Sequence, residues 1–95
     1  MTPEDGEVQS TWKDLGTLVA ELRRMQHGAL ADRLVHCVRY ASTSGEIYDG
    51  VGTALVEHRA LRKKLNGVGA AAWDRVMDDV DRVRGVRLGD WLARR

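Results

Sequence analysis

The chain has 95 residues, a formal net charge of +1 and 31% charged side chains of interspersed sign, so no long-range field draws it onto nucleic acid or an anionic membrane. No apolar run approaches the roughly 18 residues that cross a bilayer, and a lone cysteine, Cys37, excludes an intramolecular disulfide. One domain is expected over 1–95, and a chain of this size buries only roughly 60 to 65% of its unfolded surface.

The core has to be assembled without phenylalanine, from Leu, Val and Ala, with Trp12, Trp73 and Trp91 as the large apolar side chains. Ten glycines add to the cost, since each one inside a helix destabilises it by about 1 kcal/mol relative to alanine. Thin core material and helical glycines together point to a homodimer or an obligate protein partner. Twelve arginines against three lysines suggest a GC-rich, bacterial source. The N-terminal run MTPEDGEVQS has neither a basic n-region nor an apolar h-region, which leads to the expectation of a cytoplasmic protein.

In chain order, residues 1–7 combine Pro, Gly and acidic side chains and are expected to form a frayed arm. Val8, Trp12, Leu15, Val19, Leu22 and Met25 then recur at spacings of three and four, which predicts one amphipathic helix. Ser10 or Thr11 is its expected N-cap, and Gly28 is placed to supply the left-handed residue that stops it. A second helix is predicted at about Ala29 to Ala41, with Leu30, Leu34, Cys37, Val38 and Ala41 on one face. Whether the first two helices run on through Gly28 is open. The segment Ser42 to Glu46 is the clearest punctuation, and Thr43 with Glu46 fits a capping box for the next helix.

That third helix is predicted at about Gly45 to Leu65, with Ile47, Val51, Leu55, His58, Leu61 and Leu65 on a stripe and Asn66-Gly67 as a stop signal. Gly50 and Ala54, four apart, let another helix approach closely. A fourth helix begins near Gly69 and carries Trp73, Val76, Met77, Val80 and Val83, with Arg75–Asp79 and Asp78–Arg82 at i,i+4 on a solvated face. Val86 to Arg95 is expected to form a short helical tail capped by Asp90. The fold class is therefore all-α, a small bundle of three to four main helices in up-and-down order with a short C-terminal tail.

Chemistry finds little purchase. His27, His36 and His58 lack the i,i+3 or i,i+4 spacing of helical metal ligands, so no metal or cofactor is expected. Asp78, Asp79 and Asp81 read as an exposed face. Cys37 belongs to an apolar face, and its neighbour His36 points about 100° away on a helix, so adjacency makes no dyad. Asp32, His36 and Tyr40 share one face as a polar row. Gly50-Val51-Gly52 sits inside a helical pattern, unlike a phosphate loop. No catalytic residues are assigned, and no enzyme is expected.

Surface remains. The tail LGDWLARR presents Leu88, Trp91, Leu92 and Arg94 as candidates for binding a protein partner. The alternative is a small nucleic-acid-associated regulator that uses Arg59, Arg62, Lys63 and Lys64 on phosphates, although cations also gather there to offset a negative helix terminus. Asp74, Asp78 and Asp81 form an acidic row that matches the basic row Arg59, Arg62 and Lys63, either on an adjacent helix or on a second copy.

Overall fold

The apolar spacings of three and four fold as helices throughout residues 3–84, the part of the chain that the computed structural model describes. These residues form α1 (Pro3–Thr11), α2 (Lys13–Arg24), α3 (Gly28–Tyr40), α4 (Ser44–Glu57), a 3₁₀ segment (Arg59–Lys64) and α5 (Gly67–Arg84). The all-α reading holds, but the element count exceeds three to four because two of the expected helices are each split in two.

The first split is at Trp12, whose backbone is extended (φ −147°, ψ 94°). Its N–H still closes the last turn of α1 on the Val8 carbonyl at 2.8 Å, and its own carbonyl accepts from the Gly16 N–H at 3.0 Å. Neither Ser10 nor Thr11 caps α2, because Trp12 occupies the cap position without a side-chain hydrogen bond. Ser10 instead lies within α1 and donates its hydroxyl to the Gly6 carbonyl.

The frayed arm expected over residues 1–7 is also corrected, because Pro3 onward is helical. Asp5 is 3% exposed, and its two carboxylate oxygens accept from the Arg23 guanidinium at 2.6 and 2.9 Å. The same guanidinium reaches Asp32 on α3 at 2.8 Å, so one arginine ties α1, α2 and α3. A bidentate, charge-assisted pair of this kind is strong enough to order an otherwise polar helix.

The break between α2 and α3 falls at Gln26 rather than Gly28. Gln26 has φ 65°, its N–H donates to the Arg23 carbonyl, and the His27 N–H donates to the Leu22 carbonyl at 2.7 Å. This is the paired hydrogen bonding of a Schellman stop, with glutamine in the left-handed position. Gly28 is the first residue of α3.

Thr43 caps α4 as its spacing predicts, its hydroxyl accepting from the Glu46 N–H at 3.2 Å. Glu46 reaches back to the Ser42 N–H at 2.9 Å. The second split comes at His58, where the expected long helix tightens into the 3₁₀ segment. The His58 ring sits 2.8 Å from the Ala54 carbonyl, which also accepts the His58 backbone N–H at 3.2 Å. Asn66 is less a stop than a start: its side-chain oxygen accepts from the Gly69 N–H at 3.1 Å and caps α5.

Helix α2 packs on α1, α3 and α5, while α4 packs between α3 and α5. Leu15, Leu18, Val19 and Leu22 of α2 are fully buried at the centre, joined by Leu34, Val51, Ala54, Trp73 and Val76. Gly50 permits the close helix contact expected of it, because a Cβ there would lie 2.8 Å from the Cys37 Sγ.

Candidate functional site

The split at Trp12 creates the site. At the extended α1–α2 corner the half-buried Trp12 packs against the edge of the core, and its indole lies against Tyr48 near the start of α4, with ring centroids 4.8 Å apart and planes inclined by 57°. The Trp12 Nε1–H donates to the Asp79 carboxylate on α5 at 3.0 Å, which supplies the acceptor that a half-buried indole requires. Arg82, one turn further along α5, pairs with the other Asp79 oxygen. Between these three helix ends lies an open cleft of about 300 Å³, with Ile47, Val83, Thr11 and Ser44 completing its walls. Its apolar walls are aromatic and branched, and its charged walls are the paired Asp79 and Arg82.

The other residues singled out from the sequence are placed apart from this cleft. Asp32 is engaged by Arg23. His36 stacks on Tyr40 at 4.6 Å, beside a shallow depression of about 180 Å³ that also includes Cys37, Ala41 and Glu46. Burial pushes the Cys37 thiol above its ordinary range, against the smaller opposing pull of the Arg33 charge, which is the reverse of what a nucleophile needs. The polar row Asp32, His36 and Tyr40 is therefore divided between an ion pair and a ring stack. Among the described residues no group of three or more His, Cys, Asp or Glu side chains is placed to hold a metal ion, and no helix is long and apolar enough to cross a membrane.

The basic cluster is partly consumed within the fold. Arg62 forms a bidentate pair with Asp74 on α5 at 2.7 and 2.6 Å, and hydrogen bonding holds that carboxyl below its usual range and raises the guanidinium further. The acidic and basic rows thus meet within one chain at this position. Arg59 donates to the Val56 carbonyl, while Lys63 and Lys64 are exposed. Arg75 pairs with Asp14 on α2 at 2.9 Å, and Arg82 with Asp79 at i,i+3, in place of the expected Arg75–Asp79 and Asp78–Arg82 pairs. Leu88, Trp91, Leu92 and Arg94, with the rest of the tail, lie outside the described residues.

Trp12 packs against the core as its place on the apolar stripe predicts, but Asp79, expected on a solvated face, accepts its indole N–H across the fold. One signal was available, since an indole on an apolar stripe has to find an acceptor. Comparisons with known protein families, with curated proteins and with solved structures find no match for this chain.

Proposed function

We propose that the chain is a non-enzymatic protein-interaction module, a cytoplasmic homodimer built on an up-and-down helical bundle, with the Trp12–Tyr48 cleft as its recognition site. The cleft carries this reading. Trp12, Asp79 and Arg82 are already hydrogen-bonded to one another through the Asp79 carboxylate, an arrangement suited to shaping a docking surface rather than activating a nucleophile or a base. Its walls are aromatic and branched apolar side chains, the composition that anchors protein interfaces. Of the three large apolar side chains most open to solvent among the described residues, Tyr40, Val68 and Val83, one lies on the cleft rim. The composition supports the dimer, since a small glycine-rich chain gains from burial against a second copy.

Light scattering coupled to size-exclusion chromatography tests the assembly. A dimer at micromolar concentration is expected, and a cooperatively folding monomer across that range overturns it. The nucleic-acid reading is the weaker one, because Arg62 and Arg59 are held by Asp74 and the Val56 carbonyl. A salt-sensitive gel shift with duplex or single strands would restore it.

A further inference from the structure

The corner at Trp12 joins two helices that the sequence writes as one. Val8, Trp12, Leu15, Val19 and Leu22 keep spacings of three and four straight through it, and no glycine or proline stands between Val8 and Leu15. Hydrogen bonds keep helical register on both sides: the Trp12 N–H donates to the Val8 carbonyl, and the Gly16 N–H to the Trp12 carbonyl. Trp12 gives α2 no side-chain cap. One residue of extended backbone is thus the whole hinge between α1 and α2. Rotating it into the helical range would join the N–H groups of Lys13, Asp14 and Leu15 to the carbonyls of Gln9, Ser10 and Thr11. What keeps the corner bent is the Trp12 side chain, through its bond to Asp79 and its packing on Tyr48.

Helix α1 grips α2 and α3 at points outside that hinge. Asp5 accepts from Arg23 of α2, Glu7 and Glu4 pair with Arg39 of α3 at 3.2 and 3.7 Å, and Val8 is fully buried. Nine residues with a glycine among them make no stable helix alone, so α1 depends on this seat. In a straight α1–α2 helix Asp5 and Arg23 would lie about 27 Å apart along the axis, beyond the reach of their side chains. The seat would then stand open on α2 and α3. A second straightened copy carries the matching set, Asp5 for Arg23, Glu7 for Arg39 and Val8 for the buried seam.

We propose that the homodimer forms by exchange of α1: Trp12 straightens, α1 and α2 become one helix, and α1 of each copy docks on α2 and α3 of the other, with Asp5 of one copy on Arg23 of its partner. This rests on the homodimer reading and supplies its interface. The same contacts form within one chain or between two, so the balance is set by the hinge and by protein concentration. A one-residue hinge favours exchange, and a longer one favours closure on the same chain.

Charge reversal in the full-length protein separates the two arrangements. Asp5→Arg sets two guanidinium groups together, and Arg23→Asp sets a carboxylate against Asp5 and Asp32, so each variant alone should melt below the wild type. When the two are refolded together from urea in equal amounts, opposite charges meet at both seats only if α1 is exchanged: Asp5→Arg then faces Arg23→Asp at one seat, and the native pair forms at the other. The mixture should have a dimer mass by light scattering and melt about 4–8 °C above either variant alone. A dimer mass without that recovery overturns the exchange and leaves the homodimer reading standing, whereas a monomer mass in the mixture and in the wild type overturns both. A second variant leaves both seats intact. Inserting Gly-Gly-Ser-Gly between Thr11 and Trp12 lets α1 close on its own chain, and should raise the dimer dissociation constant at least about tenfold. An unchanged dissociation constant overturns the exchange.

Discussion

Gln9 and Gly16 touch across the α1–α2 corner so closely that a Cβ on Gly16 would lie 2.6 Å from the Gln9 Cα and 2.7 Å from its Cβ. Backbone, not a flexible side-chain tip, occupies the space. Gly16→Ala should therefore destabilise the fold by about 1–2 kcal/mol in urea unfolding, the overpacking cost exceeding the helix-propensity gain of about 1 kcal/mol. The same substitution should disturb the Trp12 indole environment, since opening the corner moves the wall of the cleft. An unchanged stability would show that the two helices separate at no cost.

What the sequence made legible and what it hid divide along the same corner. Local rules with a chemical mechanism carried over: Thr43 and Glu46 cap α4 across three residues, and Gly50 opens a helix contact. The splits at Trp12 and His58 have no glycine or proline to announce them. They depend on partners far away in sequence, Asp79 for the indole and Asp74 for the arginine that follows the second split. Arg62 reads in sequence as a complement to a helix terminus, but it spans to Asp74 on α5, and Arg23 likewise spans from α2 to Asp5 on α1. Such pairings are long-range and leave no periodicity, so the acidic start of the chain looked like an arm and the cleft could not be seen.

The left-handed Gln26 (φ 65°) costs roughly 1 kcal/mol relative to glycine in that conformation. Gln26→Gly should raise stability by about that amount while leaving the helix content unchanged. Gly28→Ala, whose added methyl meets nothing nearer than the Arg23 Nη1 at 4.0 Å, should not destabilise. The opposite pattern, gain at neither site and loss at Gly28, would return the helix stop to Gly28.

Arg23 faces a carboxylate that is only 4% exposed on its side chain, and is itself 29% exposed. Removing a cation from a buried anion costs about 3 kcal/mol or more, and the partial exposure of Arg23 reduces this toward about 2 kcal/mol. Arg23→Met should lower stability by that amount, and the double variant with Asp5→Leu should recover much of it, because an apolar pair no longer leaves a charge to desolvate. Loss of α1 helicity in the single variant, seen as fast amide exchange over residues 4–10, would confirm that the pair orders the N-terminal helix.

The acid limb of stability follows from carboxylates that Arg partners hold below their ordinary range. Hydrogen bonds from Arg62 and Arg33 lower Asp74 and Glu57, and Arg24 lowers Glu21. A depressed folded-state pKa contributes stability that is present above the unfolded value and is lost as pH falls through the folded one. Thermal stability should therefore be level from about pH 5 to 7 and fall below about pH 4, the ordinary carboxylate range. Arg62→Gln should flatten part of that fall, and an identical slope in the variant would remove Asp74 from the account.

Cys37 and Gly50 hold α3 and α4 together through a contact that leaves no room for a methyl group, the Cys37 Sγ standing 2.8 Å from where a Gly50 Cβ would be. Cys37 is half-buried, and burial raises its thiol pKa, so less thiolate is present near neutrality. Labelling by a disulfide reagent at about pH 8 should proceed at least tenfold more slowly than in the denatured chain, since rate follows thiolate fraction and access. Gly50→Ala should destabilise by about 1–2 kcal/mol through overpacking, and Cys37→Ala should relieve that cost by making room. The decisive quantity is the coupling energy of the double variant: a favourable value above about 0.5 kcal/mol places the two residues in direct contact. Additive losses would mean that α3 and α4 adjust independently and that the close approach is not what holds them.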